Sequence, residues 1–383
     1  DANQVQAYAA WKNQIEALRA KLRTRAAEVL NRARLAAMPT TGAAFQLADL
    51  SARPPFDLVF FDEASQVGLA HALALGPLGR NVVFAGDPMQ LAPVVQSDHP
   101  HAVEWLGHSM FRHMRKNPGN FCMLTEQSRM AEPICSLVSN VFYDGKLHVA
   151  EDAQKDENWY QERELEAISE LGDQAVCLLE VESDGTWSRR YRGPIRFESS
   201  ETIAATVGDL LQEQEREELL VLTPFRAQRA LIRNKLQSRN IRKVRVSTVH
   251  RAQGSENHTV IFDPALGSSP FLQTEEARLL VNVALSRAKA RLVLLISQGD
   301  RENPLLNQIC LAIEHGDDAD TSIDISELAG SPDFPHDAVG EVVRIRNIVG
   351  EILQVEGEHF VLLDFSSGKK RKFQTRTVVE RYG

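Results

Sequence analysis

The sequence predicts an α/β protein: two domains with parallel sheets in series, followed by a small β-barrel. Three observations predict it. Apolar runs of strand length, as in FDLVFFDEASQ and NVVFAGDPMQL, end in small or polar residues and alternate with helical stretches, the rhythm of a parallel sheet with helical crossovers. A second such series begins near residue 120. From Ala338 onward, GEVVRIRNIV, GEILQVEG, EHFVLLDFSSG and KKRKFQTRTVVERY alternate like four or five short strands between glycine turns, which suits a small barrel.

The elements follow in order. Residues 1–30 place Val5, Tyr8, Trp11, Ile15, Leu18, Leu22, Ala26 and Val29 at spacings of three and four, the signature of one long amphipathic helix with an apolar stripe that wants a partner. Residues 31–118 hold three expected strands, ARLAAMPTTGAAF, FDLVFFDEASQ and NVVFAGDPMQL, with a helix over Gly68 to Leu78. Residues 119–300 hold the helix-like MAEPICSLVSNVFY and then the strand-like AVCLLEVE, ELLVLTPFRAQ, VRVSTVHRAQG, HTVIFDPAL and RLVLLIS. Residues 301–335, rich in Asp, Ser, Pro and Gly, read as a linker with one short helix, and residues 336–383 as the barrel.

Composition narrows the function classes. A hydrophobic fraction of 43% is that of a globular chain. No run of about 18 apolar residues is present to span a membrane, and the polar N-terminus has no signal-peptide core, so a cytoplasmic or nuclear setting is expected. Cys122, Cys135, Cys177 and Cys310 are too scattered for a Cys-x-x-Cys site and too few for a disulfide scaffold. A net charge of -9 argues against coating nucleic acid by bulk charge but leaves room for a local basic groove.

The stretch VFFDEASQ sets two carboxylates, Asp62 and Glu63, directly after a bulky apolar run. Polar residues just past a parallel strand lie where open α/β sheets bind ligands, and two acids there suit a metal ligand and a base. The alternative is a pair of acids that merely caps the helix that follows.

The order of strand ends separates these readings. VFFDEASQ is followed by VVFAGDPMQLAPVV, LTEQSRM, LTPFRAQ, VSTVHRAQGSENHTVIF and VNVALSRAK. This series resembles the motifs of superfamily 1 helicases, in the branch typified by the nonsense-mediated RNA decay helicase and its DNA-processing relatives, over roughly Arg34 to Ser297. The resemblance implies two RecA-like domains that sandwich ATP, with single-stranded DNA or RNA across both and movement from 5′ to 3′. It implies that Asp62 holds Mg²⁺, that Glu63 accepts the proton of the attacking water, and that Gln90 senses the γ-phosphate. Arg129 and Arg287 match the arginines that reach the γ-phosphate, and Gln253, Gly254 and Glu256 the motif at the ribose. Thr41, Thr223 and Thr248 fall at expected strand ends where the family sets hydroxyls and amides against the nucleic-acid backbone, although a threonine alone is more often a cap.

Departures from the pattern carry as much meaning. No Gly-x-x-x-x-Gly-Lys-Ser/Thr phosphate loop occurs in the chain, and Gly368-Lys369-Lys370 is not one. Without it there is no amide cradle for the phosphates, so the chain alone is expected to hydrolyse ATP poorly or not at all, as a fragment whose loop comes from an upstream segment or a partner chain. Residues 1–30 would then be the returning stalk helix of an inserted domain. Ser128 stands where the family has an aromatic that stacks on adenine, and His250 where an acid is common.

Weaker clusters remain. Trp187, Arg189, Arg190, Tyr191, Arg192 and Arg196 suit either a stacking, phosphate-contacting surface or a solvated hairpin. His99, His101, His108 and His113 lack the Cys or paired acid that a zinc site needs. The C-terminal barrel, with Phe360, Asp364, Phe365 and Lys369 to Lys372, resembles a Tudor or SH3-like module that binds nucleic acid or protein. The rival to an ATP-driven helicase is a catalytically inactive binding or scaffolding module derived from one. Asp62, Glu63, Gln90, Arg129 and Arg287 together favour the enzyme, since a scaffold has no need of all five.

Overall fold

A computed structural model describes residues 2–97, 99–111, 121–165, 167, 171–213, 218–252, 254–315, 342–345, 348–356, 359–364, 369–374 and 380–382. The chain divides into two compact units, residues 1–87 with 92–117, and residues 88–91 with 118–383. Among the described residues no helix is long and apolar enough to cross a membrane.

The first unit opens with a helix over Ala2–Arg32, whose Tyr8, Trp11, Leu18, Leu22 and Val29 are all exposed. Its end is pinned by Arg53, which donates to the Leu30 carbonyl at 3.0 Å and stacks 3.7 Å above the Phe56 ring. The strands β1 (Phe56–Phe61) and β2 (Gly79–Phe84) pair in parallel, with Phe61 beside Phe84 and their rings stacked at 4.9 Å. Phe61, Ala64, Val67, Ala72, Leu75 and Phe111 form the core under one face. The other face is not covered, since Leu58 is 50% and Phe60 57% exposed. The apolar run therefore makes the expected strand but not the buried one, because β2 is its only described partner and helices pack on one side alone.

ARLAAMPTTGAAF departs from expectation more sharply. Pro39 precedes a helix over Thr40–Phe45, so no strand forms there and Thr41 is an exposed residue of that helix's first turn. Proline supplies a pre-set φ and needs no N–H at a helix start, and the following Gly-Ala-Ala has no β-branched residue to favour extension.

The second unit is built on a five-stranded parallel sheet of β5 (Val176–Val181), β8 (Leu219–Thr223), β9 (Arg245–Thr248), β10 (Asn257–Phe262) and β11 (Ala288–Ser297), in the order β5-β11-β10-β8-β9. β5, β8 and β11 read as near-continuous apolar runs because both faces are covered. Alternation sorts them. Leu220, Leu222, Val260, Phe262, Leu292, Leu294 and Ile296 face helices Glu132–Phe142, Glu275–Leu285 and Pro304–His315. Leu219, Val221, Ile261, Val293 and Leu295 face helices Phe197–Glu213 and Arg226–Ser238. Between these elements β3 (Glu126–Gln127) pairs with β4 (His148–Val149), and β6 (Thr186–Ser188) with β7 (Gly193–Ile195).

The expected linker begins later than the sequence suggests. Leu306, Ile309 and Cys310 of helix Pro304–His315 are fully buried on the sheet, because apolar residues at spacings of three and four give that helix a core-facing stripe. Residues 316–335 lie outside the described residues. Beyond them β12 (Val342–Ile345), β13 (Ile348–Glu356), β14 (His359–Asp364), β15 (Lys369–Gln374) and β16 (Glu380–Tyr382) form an antiparallel sheet in the order β15-β14-β13-β12-β16.

Candidate functional site

In the first unit the end of β1 delivers Asp62 and Glu63 to solvent. The turn is anchored by the Ala64 N–H on the Ala85 carbonyl at 2.8 Å and the Ala85 N–H on the Phe61 carbonyl at 2.9 Å. Glu63 adopts a left-handed backbone, φ 50 and ψ 43, and precedes a short 3₁₀ turn that its side chain does not cap. Instead the Glu63 N–H donates to Asp62 Oδ1 at 3.0 Å, and Gln66 reaches Glu63 Oε2 at 3.5 Å. The helix-cap alternative is thus not the geometry adopted. A non-glycine residue in this region costs on the order of 1 kcal/mol, a strain that aims the carboxylate and stabilises nothing. Asp62 is an exposed, hard oxygen donor, which suits Mg²⁺, an ion commonly held by one or two carboxylates with waters and phosphate oxygens.

Gln90 belongs elsewhere. Residues 88–91 pack with the second unit, where Leu91 is buried in its core and the Met89 carbonyl accepts from Asn282 Nδ2 at 2.8 Å. The same amide nitrogen donates to the Tyr143 hydroxyl at 2.8 Å, so Asn282 clamps the segment carrying Gln90.

In the second unit a charged cluster gathers at the N-terminal ends of β10 and β11. Arg129 Nε donates to Glu256 Oε2 at 2.7 Å, and Lys289 Nζ lies 2.9 Å from Glu256 Oε1. The hydrogen bond from Lys289, then that from Arg129, holds the Glu256 carboxyl below the usual range against the opposing effect of burial. The backbone ties these residues together, with the Ala131 N–H on the Lys289 carbonyl at 2.7 Å and the Asn257 N–H on the Arg287 carbonyl at 3.0 Å. Arg287 is buried, only 6% exposed, between helix Glu275–Leu285 and β11. The Arg129–Glu256 pair is about two fifths exposed, so its net worth is roughly 0–1 kcal/mol and an incoming anion can displace it at little cost. Arg163 donates to the carbonyls of Ser128 and Arg129, both at 2.8 Å, and stacks 4.1 Å from the Trp159 ring. Trp159 Nε1 also donates to the Ser128 carbonyl at 2.6 Å. Gly254 has φ 80, and Gln253 lies outside the described residues.

At the opposite, C-terminal end of the same sheet, Thr223 and Thr248 close β8 and β9 as direct register partners. Both are buried, and Thr223 Oγ1 accepts from the Phe225 N–H at 3.4 Å, the turn-forming role that a lone threonine commonly plays. His250 follows Thr248. Burial, more than the neighbouring Arg226, pushes its imidazole below the ordinary value, with Glu276 opposing. His258 is lowered mainly by burial too, with Arg291 adding to it.

Both imidazoles bind protons more readily in the unfolded chain, so the stability they affect is complete above the unfolded value of about 6.5 and lost as pH falls through it. Urea midpoints are expected to drop between pH 7.5 and 5.5. The double variant His250→Gln, His258→Gln should flatten that profile, and an unchanged slope would contradict the assignment.

The sequence cluster from Trp187 to Arg196 separates in the fold. Trp187 and Arg189, Arg190 and Arg192 are exposed on the β6–β7 hairpin, but Arg196 is 1% exposed and held by Asp263 and Asp300. Among the described residues no group of three or more His, Cys, Asp or Glu side chains is placed to hold a metal, and His113 is not among them. Lys289 and Arg163 were missed in the sequence. Lys289 sits two residues after Arg287 and could have been suspected, while Arg163 gave no signal.

An AAA domain family model matches residues 106–299 and a second AAA domain model matches residues 2–98. The chain belongs to the AAA domain family. Among curated relatives it is 33% identical over 253 residues to the DNA polymerase alpha-associated DNA helicase A of Schizosaccharomyces pombe, covering 62% of this chain and 36% of that protein. It is 29% identical over 254 residues to an uncharacterized ATP-dependent helicase of Methanocaldococcus jannaschii, with coverages of 63% and 36%. The DNA replication ATP-dependent helicase/nuclease DNA2 of Gallus gallus is 27% identical over 270 residues, covering 67% of this chain and 24% of that protein. The chain thus spans about a third or less of the length of these relatives. A solved C-terminal domain of a possible DNA helicase from Lactobacillus plantarum aligns at 14% identity over 48% of this chain and 95% of that one, with a TM-score of 0.32, too slight a likeness to carry an argument.

Proposed function

We propose that this chain is the motor portion of a superfamily 1 helicase of the nonsense-mediated-decay-helicase branch, an ATP-driven translocase on single-stranded DNA or RNA that moves from 5′ to 3′. The observation that carries it is the tip of β1, where a strained backbone presents Asp62 and Glu63 without spending either side chain on capping the next turn. The helicase relatives support the same reading.

On this reading Mg²⁺, held by Asp62, would neutralise charge on the phosphate oxygens. Glu63 accepts the proton of the attacking water and Gln90 orients that water. Arg129 and Arg287 offer guanidinium forks to the charge that develops on the γ-phosphoryl group. Glu256, with Gly254 and Gln253, serves the ribose. Thr223 and Thr248 take backbone contacts, and Thr41 does so from its helix turn. The phosphate loop is absent from these 383 residues, so an upstream segment or a partner chain supplies it. The C-terminal sheet is an SH3- or Tudor-like barrel on the same reading, and the setting is cytoplasmic or nuclear.

The test is ATP hydrolysis by the chain with and without single-stranded DNA or RNA, beside Glu63→Gln. Turnover no faster than the Glu63→Gln control, together with salt-sensitive strand binding, is the expected result. Stimulated turnover that Glu63→Gln abolishes would mean that the chain cradles phosphates in another way. Absence of both turnover and strand binding would remove the helicase reading.

A further inference from the structure

The short turn that carries Arg129 lies between β3, which ends at Gln127, and helix Glu132–Phe142. Residues 128–130 belong to no helix or strand, so their backbone groups must find other partners. Gln127 supplies some of them. Its Oε1 accepts the N–H groups of Arg129 and Met130, both at 2.8 Å, and its Nε2 donates to the Met130 carbonyl at 3.1 Å. The others come from residues 159 and 163. Trp159 Nε1 donates to the Ser128 carbonyl, and Arg163 Nη2 donates to the same carbonyl at 2.8 Å. Arg163 also reaches the Arg129 carbonyl, through Nη2 at 2.8 Å and Nε at 3.1 Å. Its Nη1 donates to the Trp159 carbonyl at 2.6 Å, so the guanidinium is fixed above the ring on which it stacks.

The Arg163 side chain is 6% exposed, and the carboxylate beside it, Glu162, lies 3.6 Å away and is itself exposed. Burial pulls its pKa below the ordinary value, with Glu162 and then Glu256 opposing. A buried guanidinium satisfied mainly by neutral carbonyls is a costly way to close a turn. What sets this turn apart is the side chain it carries. The two carbonyls that Arg163 holds belong to the two peptide units flanking the Arg129 Cα, and the Arg129 N–H is held by Gln127. The root of Arg129 is therefore fixed, while its tip, in an ion pair about two fifths exposed, can exchange Glu256 for another anion.

We propose that Arg163 is a positioning residue for Arg129: by clamping both peptide units around it, Arg163 sets the direction in which the Arg129 side chain leaves the backbone and so aims it at an incoming phosphate. The inference rests on the helicase reading, in which Arg129 meets the γ-phosphate, and deepens it by naming the group that aims it. Trp159 is the flat support, since a guanidinium stacked on an indole keeps its donors in one plane. A lysine at the same place would keep the charge but neither the fork nor the stacking. Aim set in advance leaves less freedom to be lost when the phosphate binds.

The test follows the Arg129 Nε–H signal by NMR in the full chain with isotope-labelled arginine, during titration with inorganic tripolyphosphate. Loss of the signal in Arg129→Gln assigns it. The variants are Arg163→Lys and Arg163→Gln, and the first carries the test if the second does not fold. Both are expected to need about fivefold more tripolyphosphate to reach the midpoint, the scale on which freeing one flexible side chain weakens binding. A merely structural arginine would lower the urea midpoint and leave the titration of the folded chain unchanged, and that result would overturn the inference. A wild-type midpoint in Arg163→Lys would overturn it as well, because charge and not aim would then be what matters, and would leave the helicase reading standing. A wild-type Arg129 signal that tripolyphosphate does not move would contradict the phosphate-contacting role of Arg129 in that reading and remove the inference with it.

Discussion

Arg196→Met is expected to destabilise the second unit by about 3–5 kcal/mol, the cost of breaking a buried ion pair by removing one partner. Arg196 is 1% exposed and pairs with Asp300 and with Asp263 Oδ1, the latter at 2.8 Å. Burial alone would lower its pKa, but the two carboxylates raise it above the usual value and keep it charged. The carboxylates are themselves committed. Asp263 Oδ2 accepts from Ser199 and Gln228, both at 2.7 Å, and Asp300 accepts the N–H groups of Gly267 at 2.6 Å and Ser297 at 3.0 Å. Removal of the guanidinium leaves two anions in a dry interior. Hydrogen exchange of the β10 and β11 amides would measure the loss, as faster opening by two orders of magnitude or more. Adding Asp263→Asn and Asp300→Asn should restore more than half of it, because the neutral amides no longer need a counter-charge. Failure of that rescue would mean that shape, and not charge, holds the network together.

Gly185→Ala should cost about 3 kcal/mol, at the upper end of what overpacking does. An added Cβ would run directly into the Ala265 carbonyl oxygen and lie 2.9 Å from Leu266 Cβ. The loop cannot retreat, for Ala265 is itself left-handed, φ 62, with its N–H bound to Asp263 Oδ1 at 2.9 Å. Gly172→Ala is the comparison. Its φ is 58 but nothing lies within 4 Å, so only backbone strain of about 1 kcal/mol is expected. The same exchange measurement separates the two. Similar losses at both sites would show that backbone strain, and not the close approach, sets the cost.

These two predictions fall on a place that sequence patterns assign to ligands. Strand order in the second unit turns about β8, with β9 on one side and β10 on the other, and the crevice beyond such a switch point is where open α/β sheets bind. Here it is filled by Gln228, Asp263 and Arg196 from within. The charged cluster of Arg129, Glu256 and Lys289 sits at the opposite end of the strands, where β10 and β11 begin.

Much of the fold was legible because burial leaves a local mark. LLVLT of β8 and RLVLLIS of β11 are uniformly apolar since each faces helices on both sides, and no neighbour is needed to read them. Asp62 and Glu63 were legible for a similar reason, an abrupt change of polarity at a strand end. The motif order led the sequence reading to expect Arg129, Arg287 and Glu256, residues far away in sequence, at the same nucleotide. The misreadings were local too. MPTTGAAF has strand-like polarity but starts a helix at proline, and the residues after Arg301 look like a linker by composition although Leu306, Ile309 and Cys310 are core.

The sequence by itself determined the alternation of elements, the family and the residue types available for chemistry, because hydrophobic period and motif order are properties of the chain alone. Only the tertiary structure decided which charges are balanced. Arg196 and Arg226 look alike in sequence, each an arginine next to a phenylalanine near the start of a helix. One is buried between carboxylates from β10 and the turn after β11, and the other stands exposed among unpaired arginines. The difference lies in which distant segments the sheet brings alongside. Coulomb energy and desolvation depend on those through-space neighbours, and neighbours in sequence do not reveal them.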